Sequence, residues 1–228
     1  MSAPFDEYRD SYRDEVEKSI SFVGQDLDFF TEAKAEALLR LARDRLGDPA
    51  TVRALDVGCG PGETDALLGA FRELHGVDVS AELVARAAER NPGAVYEHYD
   101  GRTLPYADGS FDLAFTICVV HHVPPADWSA FVGELTRVLR PGGVAALVEH
   151  NPVNPLTRLA VARCAFDDGA VLIDRRRAVA LLRAAGLEPA ESRYILFFPW
   201  RSTMLRRLER QLGPIPLGAQ YVAAGRRP

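Results

Sequence analysis

Short apolar runs alternate along the chain with longer segments in which apolar residues recur every three or four positions. The apolar runs predict buried strands over residues 52–58, 75–80, 94–100, 111–120, 144–150, 190–198 and 219–225. The helical spacing predicts helices over residues 31–46, 63–74, 81–90, 126–139, 175–186 and 202–212. This alternation is typical of βαβ units that build a parallel sheet with helices on both faces. The predicted fold class is therefore α/β.

Residues that begin or end regular structure lie between these segments. Ser80 and Asp174 are placed to cap the helices that follow them. The Gly-Asp-Pro sequence at 47–49 and the Asn-Pro-Gly sequence at 91–93 are expected to end helices. The Arg-Pro-Gly-Gly sequence at 140–143 is expected to stop a helix and reverse the chain.

The stretch 151–169 interrupts the alternation. It contains Pro152 and Pro155 and only a short amphipathic piece. Loops at the carboxyl edge of a parallel sheet commonly build the ligand site. We therefore expect a lid or a substrate-side insert in this stretch.

The composition fits one soluble domain. The chain has 228 residues, of which 47% are hydrophobic and 26% charged, enough for a single domain with a substantial core. Its formal net charge of −5 provides no global basic field for nucleic acid or an anionic membrane. No stretch reaches the ~18 apolar residues of a membrane span. We therefore expect neither partner and a cytoplasmic location.

The cysteines support the same location. Cys59, Cys118 and Cys164 are odd in number and lack the close spacing of a zinc site. This pattern argues against a disulfide framework and against structural zinc. A reducing compartment is expected.

A glycine-rich turn follows the first predicted strand. Gly58, Gly60 and Gly62 lie between this strand and the next predicted helix, where the backbone can approach a ligand closely. Asp78 ends the second strand, near the ~20-residue offset at which a carboxylate accepts ribose hydroxyls. The spacing is GxGxG rather than the GxGxxG of NAD-binding loops, although a tight turn can need glycine for packing alone.

The motif "LDVGCGPG" at 55–62 and the successive motifs up to residue 150 resemble the class I S-adenosylmethionine-dependent methyltransferases. The resemblance implies a Rossmann-like, doubly wound sheet of seven strands, mostly parallel with an antiparallel last strand. It implies S-adenosylmethionine as cofactor and S-adenosylhomocysteine as product. The single domain then divides into an N-terminal lid and helix (1–48), a cofactor-binding core (49–150), a substrate-side insert (151–173) and the C-terminal part of the sheet (174–228).

The resemblance also implies cofactor contacts at the carboxyl ends of the first four strands. Asp78 would bind the ribose hydroxyls, Val79 would pack on the adenine, and Asp100 would meet the adenine amino group. The full implied set is Asp56, Gly58, Cys59, Gly60, Gly62, Asp78, Val79, Asp100, Gly101 and Val119. Packing alternatives stay open, since Asp56 can simply cap its turn and Asp100 can simply begin one.

His121 and His122 end the fourth apolar run and are the candidate catalytic residues. Either imidazole can take a proton from an attacking hydroxyl or amine, and His121 is preferred; the alternative is a hydrogen bond to a loop carbonyl. Adjacent residues on an extended segment point in opposite directions. On that ground we expect no metal site.

Further polar and aromatic residues are candidates for contact with the acceptor. His150, Asn151 and Arg158 follow the fifth strand, and N-terminal aromatic residues can close over the site. The predicted substrate-binding set is Tyr8, Tyr12, Phe22, His150, Asn151 and Arg158. The arginines at 175–177 are expected to be a solvated helix face.

These features predict methyl transfer to an oxygen, nitrogen or carbon of a small-molecule metabolite or natural-product intermediate, with O-methylation favoured because the histidines can act as its base. A monomer or homodimer is expected. One alternative is a cofactor-binding enzyme on the same fold that does not methylate, such as a cyclase. A weaker alternative is an NAD-dependent dehydrogenase.

Overall fold

Seven strands form one mixed sheet in the computed structural model, which describes residues 11–228 apart from the side chain of Thr203. The strands are β1 (Arg53–Val57), β2 (Glu73–Asp78), β3 (Val95–His98), β4 (Phe111–Ile117), β5 (Leu139–His150), β6 (Glu188–Ile195) and β7 (Gln220–Arg226). Their order is β3-β2-β1-β4-β5-β7-β6. Strands β1 to β5 pair in parallel, whereas β7 runs antiparallel to both of its neighbours. The predicted mostly parallel sheet with an antiparallel last strand is confirmed.

Helices cover both faces of this sheet. They are α1 (Tyr12–Ile20), α2 (Leu27–Arg45), α3 (Ala81–Arg90), α4 (Trp128–Val138), α5 (Pro155–Arg163), α6 (Arg175–Ala184) and α7 (Thr203–Leu212). Successive β5 residues point to opposite faces: Ala145 and Leu147 join the core beneath α4 and α6, whereas Ala146 and Val148 join the core beneath α2. A strand buried on both faces is apolar throughout, which explains the unbroken apolar runs in the sequence.

The helix starts are fixed by side chains. The Ser80 hydroxyl accepts the Leu83 N–H, and the Asp174 carboxylate accepts the Arg177 N–H, as predicted. Asp26 caps α2 in the same way. As a result, α2 begins four residues before the predicted start at residue 31.

The predicted helix at 63–74 is wrong. This crossover contains a single 3-10 turn, Asp65–Leu67, and β2 already begins at Glu73. The glycine turn and an early strand leave too few residues for a helix, and Gly69 lowers helix propensity further. The glycine loop is therefore followed by a 3-10 turn and not by the N-terminus of an α-helix.

Three further details differ from expectation. Helix α1 lies in a charged segment for which no helix was predicted. The turn expected at 140–143 lies inside β5, although the pairing of β4 with β5 shifts register there. The fourth strand ends at Ile117, and His121 and His122 lie in a 3-10 turn, Val120–His122, rather than on extended backbone.

The stretch 151–169 forms a cover for the carboxyl edge of the sheet. It contains α5 and a 3-10 turn, Ala165–Asp167, and α1 packs against α5. The division of the chain into lid, core, insert and C-terminal part stays a prediction. Within residues 11–228, every helix is too short or too polar to cross a bilayer.

Candidate active site

A cavity of about 890 Å³ lies over the carboxyl ends of β1, β2, β4 and β5, beneath α1, α2 and α5. Its volume is at the upper end of the range of small-molecule sites. Of the residues singled out from the sequence, it is lined by Tyr12, Gly58, Gly60, Asp78, Val79, Asp100, Gly101, Val119, His121, His122 and His150. Open α/β sheets bind their ligands at this edge. The structure therefore brings most of the candidate residues to one place.

The glycine loop is shaped by a close approach to the end of β4. Gly58 has a φ of +83°, and a Cβ atom added there would lie 2.4 Å from Cγ2 of Val119. Gly60, with a φ of +52°, donates its N–H to Oδ2 of Asp78 at 2.9 Å. Both positions require glycine, the first for space as well as for its left-handed conformation.

Asp78 is held rigidly by the backbone. Its Oδ2 accepts the Gly60 N–H and its Oδ1 accepts the Ser80 N–H, each at 2.9 Å. Burial raises the pKa of Asp78, partly offset by these backbone hydrogen bonds. A carboxylate has about four acceptor positions. Lone pairs therefore remain on both oxygens for two hydroxyl donors from the cavity side.

Asp56 lies behind the loop rather than in the cavity. Burial, and then the neighbouring Asp65, raise the pKa of Asp56 well above its usual value, and burial raises the pKa of Asp65 to about 6. Two neighbouring carboxyl groups whose pKa values are both raised, as for Asp56 and Asp65, share a proton. Asp65 also accepts the Tyr96 hydroxyl at 2.7 Å, so the pair supports the loop. Cys59 and Gly62, like Asp56, are not among the residues that line the cavity.

Asp100 and Gly101 form an exposed turn at the rim. Oδ1 of Asp100 accepts the N–H groups of Arg102 and Thr103 at 2.8 and 2.9 Å, and these hydrogen bonds lower the pKa of Asp100. Asp100 thus starts a turn, as the packing alternative supposed, and it also lines the cavity. Both readings are compatible with the geometry.

Glu149 organises the opposite end of the cavity. It is completely buried, and its Oε1 accepts the N–H groups of Val119 and Val120 at 2.9 and 2.7 Å. Its Oε2 lies 2.7 Å from Nδ1 of His121. The carboxylate therefore fixes both the backbone of the histidine turn and one of its rings. Cys118, with a φ of +56°, allows the chain to leave β4 in this direction.

Asp167 completes a cluster with three histidines. Its Oδ1 lies 3.5 Å from Nε2 of His121 and 3.3 Å from Nε2 of His122. The ring of His150 lies 5.1 Å from that of His121. Asp167 comes from the 3-10 turn of the insert, so two separate segments meet at this point.

The pKa values of His121 and His150 shift in opposite directions. Burial alone would lower the pKa of His121, but Glu149 and Asp167 outweigh it and raise the pKa to about 10. Burial and then the charge of His121 lower the pKa of His150 to about 4. Near neutral pH, His121 is therefore a cation that cannot accept a proton, and His150 is neutral. His122 is partly exposed to the cavity and contacts Asp167.

His121 and His122 lie in a 3-10 turn and not on the extended backbone from which we expected no metal site. The rings of His121 and His122 lie 4.1 Å apart. One ligand atom each of His121, His150 and Asp167 lies within 4.8 Å of the others, so these three could approach one ion. Both ring nitrogens of His121 already face carboxylates, and a metal would have to displace its proton.

Only some of the residues predicted to contact the acceptor line the cavity. Tyr12 and His150 line the cavity. The ring of Tyr12 on α1 stacks on Phe166, which is next to Asp167, with ring centroids 5.3 Å apart and 6° between the planes. Phe22 lies outside the lining, where the Arg163 guanidinium is 5.6 Å from its ring centroid. Tyr8 lies outside the described residues.

Asn151 and Arg158 are placed away from the cavity. Asn151 is buried and donates to the carbonyl oxygens of Pro216 and Gly218 at 3.2 and 2.8 Å, which ties the fifth strand to the loop before β7. Arg158 is exposed on α5. Neither lines the cavity in this structure.

Asp167 and Lys34 are among the polar residues of the cavity lining that sequence reasoning missed. Asp167 lies in the irregular insert, where no periodicity marks it. Lys34 on α2 lines the cavity together with Leu27 and Phe30. The i, i+3, i+7 spacing of these three was the available signal, because it places them on one helix face.

Comparison with known proteins gives a consistent family assignment. A family model described as a methyltransferase domain matches residues 55–147. The 27-O-demethylrifamycin SV methyltransferase of Amycolatopsis mediterranei is 31% identical over 205 residues, which cover 83% of this chain and 74% of that protein. Of several other curated relatives, the chain spans only 28% to 53% of the length.

Two solved structures illustrate the range of the fold. A methyltransferase of Thermotoga maritima, described as a possible histamine N-methyltransferase, has a TM-score of 0.68 at 19% identity, with 99% of this chain and 98% of that chain covered. The 4+2 cyclase SpnF has a TM-score of 0.61 at 21% identity, with 86% and 82% covered. At these identities the likeness shows the fold alone.

Proposed function

The chain belongs to the class I S-adenosylmethionine-dependent methyltransferases, and on that premise we propose that it methylates an oxygen of an apolar small molecule. S-adenosylmethionine is the methyl donor and S-adenosylhomocysteine the by-product. One observation carries the proposal: a single cavity has a backbone-fixed carboxylate, Asp78, at one end and the histidine–carboxylate cluster at the other.

The residues at the first end suit the adenosyl group. The Asp78 carboxylate keeps free lone pairs for two hydroxyls. Val79, Leu83 and Tyr99 supply apolar surface beside it. Gly58 leaves space where a Cβ would clash with Val119, and Gly60 supplies the left-handed backbone that brings its N–H to Asp78. When bound there, the cofactor supplies an activated methyl group on a sulfonium, and the chain's own task is to align an acceptor and remove its proton.

Removal of the proton is assigned to His122. His121 already carries a proton between Glu149 and Asp167. The ring of His122 lines the cavity, and Asp167 lies 3.3 Å from its Nε2. A carboxylate in this position orients an imidazole and stabilises its charged form. The preference for His121 is therefore replaced by a role for His121 in holding Asp167 next to His122.

The acceptor is expected to be apolar and bulky. The cavity lining is largely apolar and includes five phenylalanine rings, Phe29, Phe30, Phe166, Phe197 and Phe198. Alignment of the two reacting groups in a dry pocket supplies much of the acceleration of a displacement reaction. A phenol or alcohol on a hydrophobic skeleton fits both the rings and the base.

A screen of hydroxylated aromatic and polyketide-like acceptors tests the proposal. Product mass should rise by one methylene unit. An isomer of unchanged mass would indicate cyclisation instead, and no product from any acceptor by a protein that binds the cofactor would count against the acceptor class.

With an acceptor in hand, His122→Asn tests the base. We expect kcat to fall about 100-fold or more while the affinity for S-adenosylhomocysteine is kept. His98→Asn is a matched control, because His98 ends β3 outside the cavity lining. Equal kcat values for the two variants would refute the base role of His122.

A further inference from the structure

Lys34 projects from α2 into the main cavity. Leu27, Phe30 and Lys34 follow one another at helical spacing and all line the cavity. The two apolar residues form a stripe that ends at the ammonium group. The cavity therefore combines a hydrophobic wall with one cationic point on the same helix face.

Within residues 11–228, no carboxylate lies within ion-pair distance of the Nζ atom of Lys34. The other lysine of the chain, Lys18, is mostly exposed on α1 and pairs with Glu15 at 2.6 Å. Among the described residues, Lys18 therefore has an ion-pair partner and Lys34, which faces the cavity, has none.

The groups whose pKa values respond to Lys34 indicate where its ammonium group lies in the cavity. Its positive charge lowers the pKa of Asp56, Cys118 and His150, although burial dominates the pKa of each. These residues lie at or beside the carboxyl ends of β1, β4 and β5. Asp78 and the adenosyl end lie at β2. Lys34 thus lies on the side of the cavity formed by the ends of β1, β4 and β5.

Neighbouring acids do not neutralise this charge. Asp56 shares a proton with Asp65 behind the glycine loop. Asp167 and Glu149 are held by His121. A half-buried ammonium has lost part of its hydration, so an anionic ligand recovers more free energy there than at the surface.

We propose that Lys34 is the carboxylate receptor of the main cavity. A carboxylate, with a single negative charge, matches one ammonium, whereas a phosphate dianion would call for more than one cation. The carboxylate has two sources: the amino-acid end of the cofactor or an acidic group on the acceptor. The first source rests on the proposed function, and the second does not.

Titration calorimetry separates the two sources. The first pair of ligands is S-adenosylhomocysteine and 5′-methylthioadenosine, which keeps the adenosyl group but has no carboxylate. The second pair is 2-naphthoate and 2-naphthalenemethanol, each titrated with and without S-adenosylhomocysteine. The proteins are wild type, Lys34→Met, Lys34→Arg and the control Lys18→Met.

We expect Lys34→Met to weaken the carboxylate-bearing member of one pair by about 10- to 100-fold, the range of a charge-assisted contact, with its carboxylate-free partner unchanged. Lys34→Arg should keep most of the affinity and Lys18→Met all of it. Loss for S-adenosylhomocysteine assigns the cofactor as the source, and loss for 2-naphthoate assigns the acceptor.

The proposal is overturned if Lys34→Met leaves both carboxylates unaffected, or if it weakens the carboxylate-free ligands equally. Wild-type protein that binds neither adenosyl ligand would instead refute the proposed function. In that case the naphthoate pair alone would decide the role of Lys34.

Discussion

Carboxyl groups at the two ends of the main cavity are buried to a similar extent, yet their pKa values shift in opposite directions. At the cofactor end, burial raises the pKa of Asp56, Asp65 and Asp78. At the acceptor end, histidine contacts outweigh burial and lower the pKa of Glu149 and Asp167. Among residues 11–228, no ion pair reaches the first group, whereas both acids of the second group pair with His121.

The opposite pKa shifts reflect two ways in which the protein stabilises a buried carboxyl group. Backbone N–H groups and shared protons position the acids of the cofactor end without fixing a full charge. The acceptor end contains an ion pair whose members depend on each other. We therefore expect substitutions at the acceptor end to affect stability more, and those at the cofactor end to affect ligand affinity more.

The largest effect is expected for Glu149→Gln. This change leaves the buried His121 cation with a weaker partner and disturbs the N–H contacts of Val119 and Val120. The free energy of unfolding should fall by about 3–5 kcal/mol in urea denaturation. Asp65→Asn, the same change at the cofactor end, should cost less than about 1 kcal/mol, because it removes a charge that burial already disfavours. Equal losses would contradict the comparison.

The pH dependence of stability gives the next test. The pKa of His121 is raised to about 10 in the folded protein, so its stabilisation is fully present below about pH 6.5. It is lost as the pH rises through about 10. The stability difference between wild type and His121→Asn should therefore be constant from pH 5.5 to about 6.5, which is the pKa of histidine in an unfolded chain. The difference should then shrink towards pH 10. A difference that does not change with pH would show that His121 is neutral.

The cofactor end should respond in the same sense, but at lower pH. The pKa of Asp65 is raised to about 6, so its contribution is lost as the pH rises from about 4 towards 6. Asp65→Asn should remove this decline. Retention of the same decline in the variant would assign it to other groups.

A smaller effect is expected where the two ends touch. Gly58→Ala places a Cβ against Val119 and imposes a left-handed conformation on alanine. The free energy of unfolding should fall by about 2–3 kcal/mol. A Val119→Ala background removes the two Cγ contacts and leaves mainly the backbone strain, so the cost should fall to about 1–2 kcal/mol. An unchanged cost in that background would show that Val119 does not set the loop.

The smallest effect concerns the cover of the cavity. Tyr12 and Phe166 stack between α1 and the insert. A double-mutant cycle with Tyr12→Leu and Phe166→Leu should give a coupling energy of about 1 kcal/mol. A coupling near zero would mean that the N-terminal helix is not held by this contact.

The cofactor end could be predicted because its residues are close together in the sequence. The glycines and Asp78 belong to one strand–turn–strand unit, and parallel pairing of β1 with β2 brings Asp78 to Gly60. The sheet followed equally from the apolar runs. The helix at 63–74 failed because its apolar spacing carried no information on how soon β2 begins.

The acceptor end could be predicted only in part. His121 and His122 marked the place, but their conformation depends on Glu149, which reaches them from β5. An acid within the apolar run 144–150 was the available signal. Asp167 comes from an irregular segment without periodicity, so only the three-dimensional structure reveals its contact with both histidines.

We propose that Asp78 holds the adenosyl group of the cofactor at one end of this cavity. Titration of S-adenosylhomocysteine into wild type, Asp78→Ala and the control Asp44→Ala checks this role, because Asp44 is exposed on α2 outside the cavity lining. We expect one-to-one binding by wild type, about 100-fold weaker binding by Asp78→Ala (about 2.7 kcal/mol) and unchanged affinity for Asp44→Ala. Folded wild-type protein without binding, or equal affinities for wild type and Asp78→Ala, would contradict it.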